Sequence, residues 1–341
     1  MNLGFVGAGA VARHHLGVIA RRSDVEVAAV CDLDAQQARA AAEATGARAY
    51  ADWRAMLDTE SLEALIVCTP PEAHVEPTVA ALAHGTAAYV EKPLARTLAD
   101  GLRIVAAWED SEAVCAVGYQ WRSLDLLSDL RAALGGATPG MLVSRSFGPT
   151  ERARGDLDGV DAATGEAWFV DPRRSGGILF ELGSHDFDLQ LAIAGPVDSV
   201  QGAAASGLLA LAAKSPTRLR DSVAAILHFS GGTVGTIQVA WTDAQEPPVY
   251  TLDVLTSRAA LQLELDPVFQ LQGKSDGRIV SAAGATNPRE STLSRFFDAV
   301  RHGDRAGVAC SPADGLATLR VALACERAIE TACRVDVADV T

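Results

Sequence analysis

Lysine and histidine are the side chains best suited to exchanging protons near neutral pH when their surroundings favour it. This chain places one of each in a suggestive setting. Lys92 stands between Glu91 and Pro93, just after the apolar run Ala87–Val90. Further along, the string Glu181-Leu-Gly-Ser-His185 puts a carboxylate and an imidazole one helical turn apart. The chain opens with a glycine turn, Gly7-Ala-Gly9-Ala-Val-Ala12, directly after the run Asn2–Val6. A phosphate-cradling turn followed by two separate acid/base clusters describes hydride-transfer chemistry, with the cofactor site and the proton-transfer groups drawn from different domains.

The elements that must carry these residues follow from apolar periodicity. In the first part of the chain, Asn2–Val6, Val25–Val30, Glu63–Val67, Ala87–Val90 and Val114–Val117 read as buried parallel strands. Between them, Ala10–Arg21, Ala35–Thr45, Pro71–Ala83 and Leu98–Glu109 have helical length and composition, and Gly46 and Gly85 stand where helices should stop. Such alternation gives an α/β fold with a doubly wound parallel sheet. After Arg122 the period changes. A helix at Leu124–Leu134 leads to a strand at Gly140–Phe147, a polar loop from Pro149 to Ser175, and a helix ending near Gly195. Then Val197–Ala205, Asp221–Phe229, Thr233–Trp241, Tyr250–Leu255, Ala259–Glu264 and Val268–Leu271 follow as short strands, with Gly231-Gly232 as a tight connection. This run predicts an antiparallel sheet. Arg289–Arg301 and Pro312–Arg334 close the chain as helices, Pro312 suiting a first helical position. The expected division is 1–121 as a dinucleotide-binding domain and 122–341 as a substrate and oligomerisation domain, with the C-terminal helices able to pack back on the first.

The glycine turn follows a strand and opens a helix, which is the context a dinucleotide site requires. Gly7 permits the tight turn, and Gly9 lets the backbone at Ala10 and Val11 approach a pyrophosphate at the helix N-terminus. Ala12 is small enough for helix–strand packing. Asp32, 25 residues after Gly7, ends the second strand, where a carboxylate can hold the ribose hydroxyls of adenosine. The same carboxylate repels a 2′-phosphate, and Leu33-Asp34 supplies no cation, so NAD is favoured over NADP. Thr69 and Pro70 end the third strand at the cofactor edge, with His74 in the helix that follows; alone, His74 reads as a surface or capping histidine. Glu91-Lys92-Pro93 reads as a surface ion-pair turn or as part of the site. A lysine beside a bound nicotinium cation gives up its proton more easily.

Composition narrows the class. The chain has 341 residues, more than one core usually holds, and 49% of them are hydrophobic, which suits packed domains rather than disorder. The net charge of −14, from 29 basic and 43 acidic side chains, argues against nucleic acid or an anionic membrane as partner. Small molecules and other protein chains are the expected partners. The cysteines at 31, 68, 115, 310, 325 and 333 form no C-x-x-C pair and read as small buried hydrophobes, so no metal is expected. No segment approaches the ~20 apolar residues of a membrane helix, and no basic-then-apolar leader opens the chain. A soluble, reduced, cytoplasmic protein is expected.

Taken in order, the Gly7 turn, Thr69-Pro70-Pro71 with His74, Glu91-Lys92-Pro93, Gly118-Tyr-Gln120 with Arg122, and Gly176-Gly177 leading to Gly183-Ser-His185 and Asp188 resemble the Gfo/Idh/MocA family of NAD(P)-dependent oxidoreductases over nearly the whole chain. The resemblance implies a Rossmann domain followed by an α/β domain with a large, mostly antiparallel sheet. The open face of that sheet commonly forms the oligomer interface, so a homodimer or homotetramer is expected. It implies that Lys92 is catalytic and that the peptide bond before Pro93 is cis. The family's D-x-G-x-H element maps to Glu181–His185 with Glu in place of Asp, and the extra methylene moves the carboxylate. Arg122 matches a position near substrate in inositol- and sugar-acting relatives, and it could equally tie the two domains together. Trp168 and Phe169 precede Gly176, where an aromatic face could meet a sugar or serve as a lid or core plug.

The residues themselves say more about the second cluster. If Gly177–Ala194 is a helix, Glu181, His185 and Asp188 share one face of it, a polar stripe on an apolar helix. Such a stripe can line a ligand cleft, or it can be a buried network that only holds the helix. His185 would feel the positive end of the helix dipole, which disfavours imidazolium and keeps a base available. Residues and resemblance together describe an NAD-dependent dehydrogenase acting on a secondary alcohol of a sugar, inositol or similar cyclic polyol. His185, assisted by Lys92, removes the hydroxyl proton, Lys92 also stabilises the alkoxide, and Glu181 orients or charge-balances the pair. Two alternatives keep the fold: an NAD-dependent redox-elimination glycosidase and a non-catalytic NAD-binding regulator. Net accumulation of reduced cofactor separates the dehydrogenase from the glycosidase, and retention of both Lys92 and His185 argues against the regulator.

Overall fold

The computed structural model describes residues 1–148, 171–209, 219–242, 244 and 248–341, and they form two compact units. The first unit contains β1 (Asn2–Val6), α1 (Ala10–Ile19), β2 (Glu26–Cys31), α2 (Ala35–Thr45), β3 (Arg48–Tyr50), α3 (Trp53–Thr59), β4 (Ala64–Val67), α4 (Val75–Ala83), β5 (Ala87–Val90), α5 (Leu98–Glu109) and β6 (Cys115–Val117). The chain continues through α6 (Leu126–Leu134), β7 (Met141–Gly148), α7 (Pro172–Ser175), α8 (Ser184–Ala194), β8 (Val197–Ala205), β9 (Ser222–Phe229) and β10 (Val234–Trp241). It ends with β11 (Val249–Leu255), β12 (Ala259–Asp266), β13 (Gln270–Ser275), β14 (Arg278–Ala283), α9 (Pro288–His302), α10 (Pro312–Thr331) and β15 (Val335–Asp336).

In the first unit the six strands are parallel in the order β3-β2-β1-β4-β5-β6, the doubly wound arrangement expected. Alternate side chains of each inner strand bury on opposite faces. Leu3, Phe5, Ile66 and Tyr89 pack into one core, and Val6, Leu65, Val67 and Val90 into another. Burial on both faces explains why these strands read as continuous apolar runs. Strand β3 and helix α3 are additions to the sequence expectation. Arg48-Ala-Tyr50 is a short, largely exposed edge strand that carries no apolar run to announce it. Helix α9 returns to this unit, as Leu293, Phe296 and Phe297 join the core of Leu3 and Phe5. The Phe296 and Tyr89 rings meet edge-on at 5.6 Å.

The second unit carries nine strands in the order β14-β13-β12-β11-β7-β10-β9-β8-β15. Every neighbour pair is antiparallel except β7 with β10. Leu142, Ser144 and Ser146 of β7 and Val223, Ala225 and Leu227 of β9 are buried, while the residues between them are less so. Strand β14 was not expected from its residues, although Asp276-Gly277 announces it. Both residues have positive φ (50° and 74°), as a two-residue hairpin turn demands. The expected uniform helix from Gly177 is corrected too: Leu179–Gly183 is a π turn that runs into α8.

Cys31, Cys115, Cys310 and Cys325 are buried as expected, whereas Cys68 is half-buried and Cys333 is exposed. Among the described residues, no helix is long and apolar enough to cross a membrane.

Because Phe296 is fully buried among Leu3, Phe5 and Tyr89, Phe296→Ala should destabilise the protein by about 3–5 kcal/mol. The exposed Ile279 of β14 serves as a control, and its change to Ala should stay within about 0.5 kcal/mol. Urea unfolding of the intact chain compares them; equal midpoints would deny α9 its place in the core.

Candidate active site

The glycine turn is held in a conformation that only glycine supports at its first position. Gly7 has φ 95°, and a Cβ there would stand 2.7 Å from the backbone carbonyl of Cys68. Gly9 caps α1 without any side-chain hydrogen bond, and the first turn of α1 contains no acid. By contrast, Asp34, Asp52 and Thr97 cap α2, α3 and α5. The leading amides of α1, from Ala10 and Val11 onward, thus lack a side-chain acceptor, and this donor set fits the pyrophosphate of a dinucleotide. Ala12 is fully buried against the sheet. Asp32 is pinned as it leaves β2: Oδ2 accepts from the Ala8 amide at 2.7 Å and Oδ1 from the Asp34 amide at 2.8 Å. The carboxylate is therefore fixed beside the turn, with exposed Leu33 next to it.

Thr69 and Pro70 leave β4, and Glu91 and Lys92 leave β5, all at the carboxyl edge of the sheet next to β1. Ligands of doubly wound sheets bind at that edge, where the strand order reverses. Glu91 organises it. Its Oε1 lies 2.7 Å from His15 Nε2, and its Oε2 accepts the Lys92 amide at 3.2 Å. Its carboxylate fills the space beside Gly118, 3.0–3.1 Å from where a Cβ would be. The Lys92–Pro93 bond is cis, as the resemblance implied; so is Asp266–Pro267, which nothing in the sequence reading anticipated. His74 is fully buried rather than at the surface. Its ring nitrogens lie 2.9 Å from the carbonyl oxygens of Pro93 and Thr69, so it ties the two site loops together from beneath. Burial pushes the His74 imidazole below its ordinary value, against the opposing pull of those carbonyls and of Glu91.

In the second unit, Glu181 belongs to the π turn and His185 to the first turn of α8, both half-buried, His185 between the fully buried Ser184 and Asp186. The π turn makes the backbone helical before His185, so His185 is interior to a longer helical run. The dipole effect expected for a helix start fades beyond the first turn and is correspondingly weaker there. π turns are rare and concentrate at functional sites. The Trp121 ring packs against His185 with centroids 5.1 Å apart, and Tyr250 lies 6.5 Å beyond it. Arg122 donates from Nε to both oxygens of Asp188 at 2.9 Å, and Asp188 also accepts from Thr318 Oγ1 at 3.0 Å. Both charged groups are buried or nearly so, and the pair anchors α8. Trp168 and Phe169 lie outside the described residues. Sequence reasoning missed His15 and Trp121. The first could have been found as a polar residue on the buried face of α1, and the second carried no signal beyond adjacency to Arg122. Among the described residues, no group of three or more His, Cys, Asp or Glu is placed to hold a metal ion.

Residues 1–119 match the model of an oxidoreductase family with an NAD-binding Rossmann fold, and residues 141–262 match the C-terminal domain model of the same Gfo/Idh/MocA group. The chain belongs to the Gfo/Idh/MocA oxidoreductase family. It is similar to D-apiose dehydrogenase of Paraburkholderia graminis, with 25% identity over 87% of this chain and 78% of that protein. Inositol 2-dehydrogenase of Salmonella paratyphi B is 35% identical over 126 residues, which is 36% of this chain and only 38% of that protein. In fold, the chain resembles the WlbA dehydrogenase of Bordetella pertussis in complex with NADH and UDP-GlcNAcA, with a TM-score of 0.79, 22% identity and 98% of each chain covered. The protein is thus an NAD-dependent oxidoreductase, as the glycine turn and Asp32 led one to expect.

A Gfo/Idh/MocA member with Asp32 fixed by two backbone amides should prefer NAD to NADP, because the carboxylate cannot turn away from a 2′-phosphate. Calorimetry on the unaltered protein should show the tighter binding of NAD. Asp32→Ser combined with Leu33→Arg should narrow or reverse the preference, and equal affinities in the unaltered protein would count against this role for Asp32.

Proposed function

We propose that the protein is a dehydrogenase that transfers hydride between a secondary alcohol of a sugar, inositol or related cyclic polyol and NAD. The observation that carries this reading is the presence of His185 and Glu181 on a half-buried π turn and helix start, in a chain whose uncapped α1 and fixed Asp32 fit the dinucleotide. The substrate class is supported by relatives that are named for apiose and inositol.

Bound NAD supplies the hydride acceptor. Gly7, Gly9, Ala10 and Val11 would hold its pyrophosphate, Asp32 its adenosine ribose, and Thr69, Pro70 and Glu91 would form the loops beneath its nicotinamide end. His185 takes the proton of the reacting hydroxyl. Lys92, its backbone held by Glu91, stabilises the alkoxide that forms as the proton leaves. Glu181 orients the imidazole or balances its charge. Arg122 belongs to the scaffold of α8 through Asp188.

A screen of inositols, aldoses and other polyols for NAD reduction tests the reaction. Net accumulation of NADH supports a dehydrogenase, and glycoside cleavage without it would favour redox-elimination chemistry instead. On a substrate so found, Lys92→Met and His185→Ala should each lower kcat by roughly 10²–10⁴. Glu181→Gln should cost less, and His185→Ala should leave NAD affinity unchanged, because the residues that fit NAD lie in the first unit. Full activity of His185→Ala would remove it from the mechanism.

Assembly is expected through the second sheet. Ile226 of β9, Met141 of β7 and Leu255 of β11 expose 42%, 40% and 36% of their surface, and they alternate with buried residues along their strands. Light scattering at micromolar concentration should give a dimer or tetramer, and a monomer would contradict this use of the face.

A further inference from the structure

Asp186 follows His185 on α8 and is completely buried. Ser146 Oγ donates to its Oδ1 at 3.1 Å, and Ser144 lies two residues earlier on β7. Its Oδ2 is buried and has no hydrogen-bond partner. One turn along α8, Gln190 is equally buried. Its Nε2 donates to Ser144 Oγ at 2.8 Å and to the Thr236 carbonyl of β10 at 2.9 Å, which uses both amide hydrogens. Its Oε1, buried and without a partner, fills the space over Gly235, 2.3 Å from where a Cβ there would lie.

Two buried acceptor oxygens, on residues that neighbour each other on a helix, thus lack a donor among the described residues. A carboxylate would add a buried charge, and among the described residues no cation faces it. A single proton on Oδ2 answers both problems. We propose that Asp186 is a positioning residue for His185 that works as the neutral acid, its Oδ2–H donating to Gln190 Oε1 and so fixing α8 on β7 and β10. This rests on the acid/base role given to His185 above. The groups that face Asp186 from β7 and from its own helix, Ser144, Ser146 and Gln190, carry no charge. Asp188, two residues on, is held by Arg122 and Thr318.

Burial raises the Asp186 carboxyl to about 7, so the neutral acid persists where other carboxyls are ionised. The sign follows from linkage. The stability this group contributes is present at acid pH and is lost as the pH rises from the ordinary carboxyl range through about 7.

Infrared difference spectra of wild type against Asp186→Asn test the protonation directly. At about pH 6 the carbonyl band of a protonated carboxylic acid is expected, fading as the pH passes about 8. Asparagine keeps a donor in the same place. Asp186→Asn should therefore hold kcat within about threefold and lose the fall in melting temperature expected of the wild type as the pH rises from about 4 to about 7, while Asp186→Leu, which strands Gln190 Oε1, should lower kcat at least about tenfold with NAD affinity unchanged. Absence of the acid band, or an Asp186→Asn variant as impaired as Asp186→Leu, overturns the proposal. If Asp186→Leu does not fold, the spectrum and the asparagine variant still decide. The infrared and melting measurements need no substrate, so they stand apart from any failure of the dehydrogenase reading.

Discussion

The contact between His15 and Glu91 is the tie on which the first unit's site depends. His15 rides on α1, whose N-terminus follows the glycine turn without a side-chain cap, and Glu91 begins the loop that carries Lys92. The two are joined at 2.7 Å, and His15 Nδ1 is buried with no hydrogen-bond partner. That missing partner selects the tautomer with hydrogen on Nε2, because a hydrogen on Nδ1 would be stranded in the core. Glu91 is then the acceptor, and its second oxygen remains available for the Lys92 amide. Glycine at 118 gives this carboxylate room, since a Cβ there would stand only 3.0–3.1 Å from it. The charge has a further effect on Cys68. Burial first, and Glu91 second, raise its thiol well above the ordinary value, so the cysteine beside the site stays protonated and inert.

The second unit holds its histidine by different means. Helix α8 meets the sheet through a seam of neutral polar groups on one side, Asp186 and Gln190 against Ser144 and Ser146. On another side, an ion pair with Arg122 is completed by Thr318. A buried pair of this kind contributes little net stability over an apolar substitute, but removing one partner is costly. Its value lies in direction. Two oxygens of Asp188 receive one guanidinium Nε, which fixes the rotation of α8 about its axis in a way that leucine packing would not. The Trp121 ring then limits His185 from the side.

What the sequence revealed of this arrangement followed burial and backbone special cases. Strands buried on both faces, such as Ile66 and Tyr89 with their neighbours, announce themselves as apolar runs, and the glycine turn is legible because Gly7 admits no substitute. The edge strand Arg48–Tyr50 has no such run and was invisible. Strand β14 was overlooked although Asp276-Gly277 marks its hairpin. The candidate residues Lys92, Asp32 and His185 could be named, but their partners could not. His15 and Glu91 are 76 positions apart, and Arg122 and Asp188 are 66 apart. Nothing in local pattern reports a pairing made by tertiary structure. The π turn was hidden for a related reason, since the side-chain pattern from Leu179 to Gly183 fits an α-helix equally well.

A polar seam under α8 needs justification, because apolar side chains in the same positions would avoid desolvation altogether. Each hydrogen bond there contributes only about 0.5–1.5 kcal/mol net, so stability does not explain it. Register does. Helix α8 lies on β7 and β10, the one parallel pair in an otherwise antiparallel sheet. A purely apolar face on those strands could accept a helix slid by one residue, a displacement of about 1.5 Å. Gln190 bonds one strand through the Ser144 hydroxyl and the other through the Thr236 carbonyl, so any slide breaks both at once. Gly235 completes the constraint, since any side chain there would expel the Gln190 oxygen. A reacting group misplaced by 1 Å can cost an enzyme about a hundredfold in rate. The seam thus gives up a little burial energy to hold His185 at one position along the helix axis.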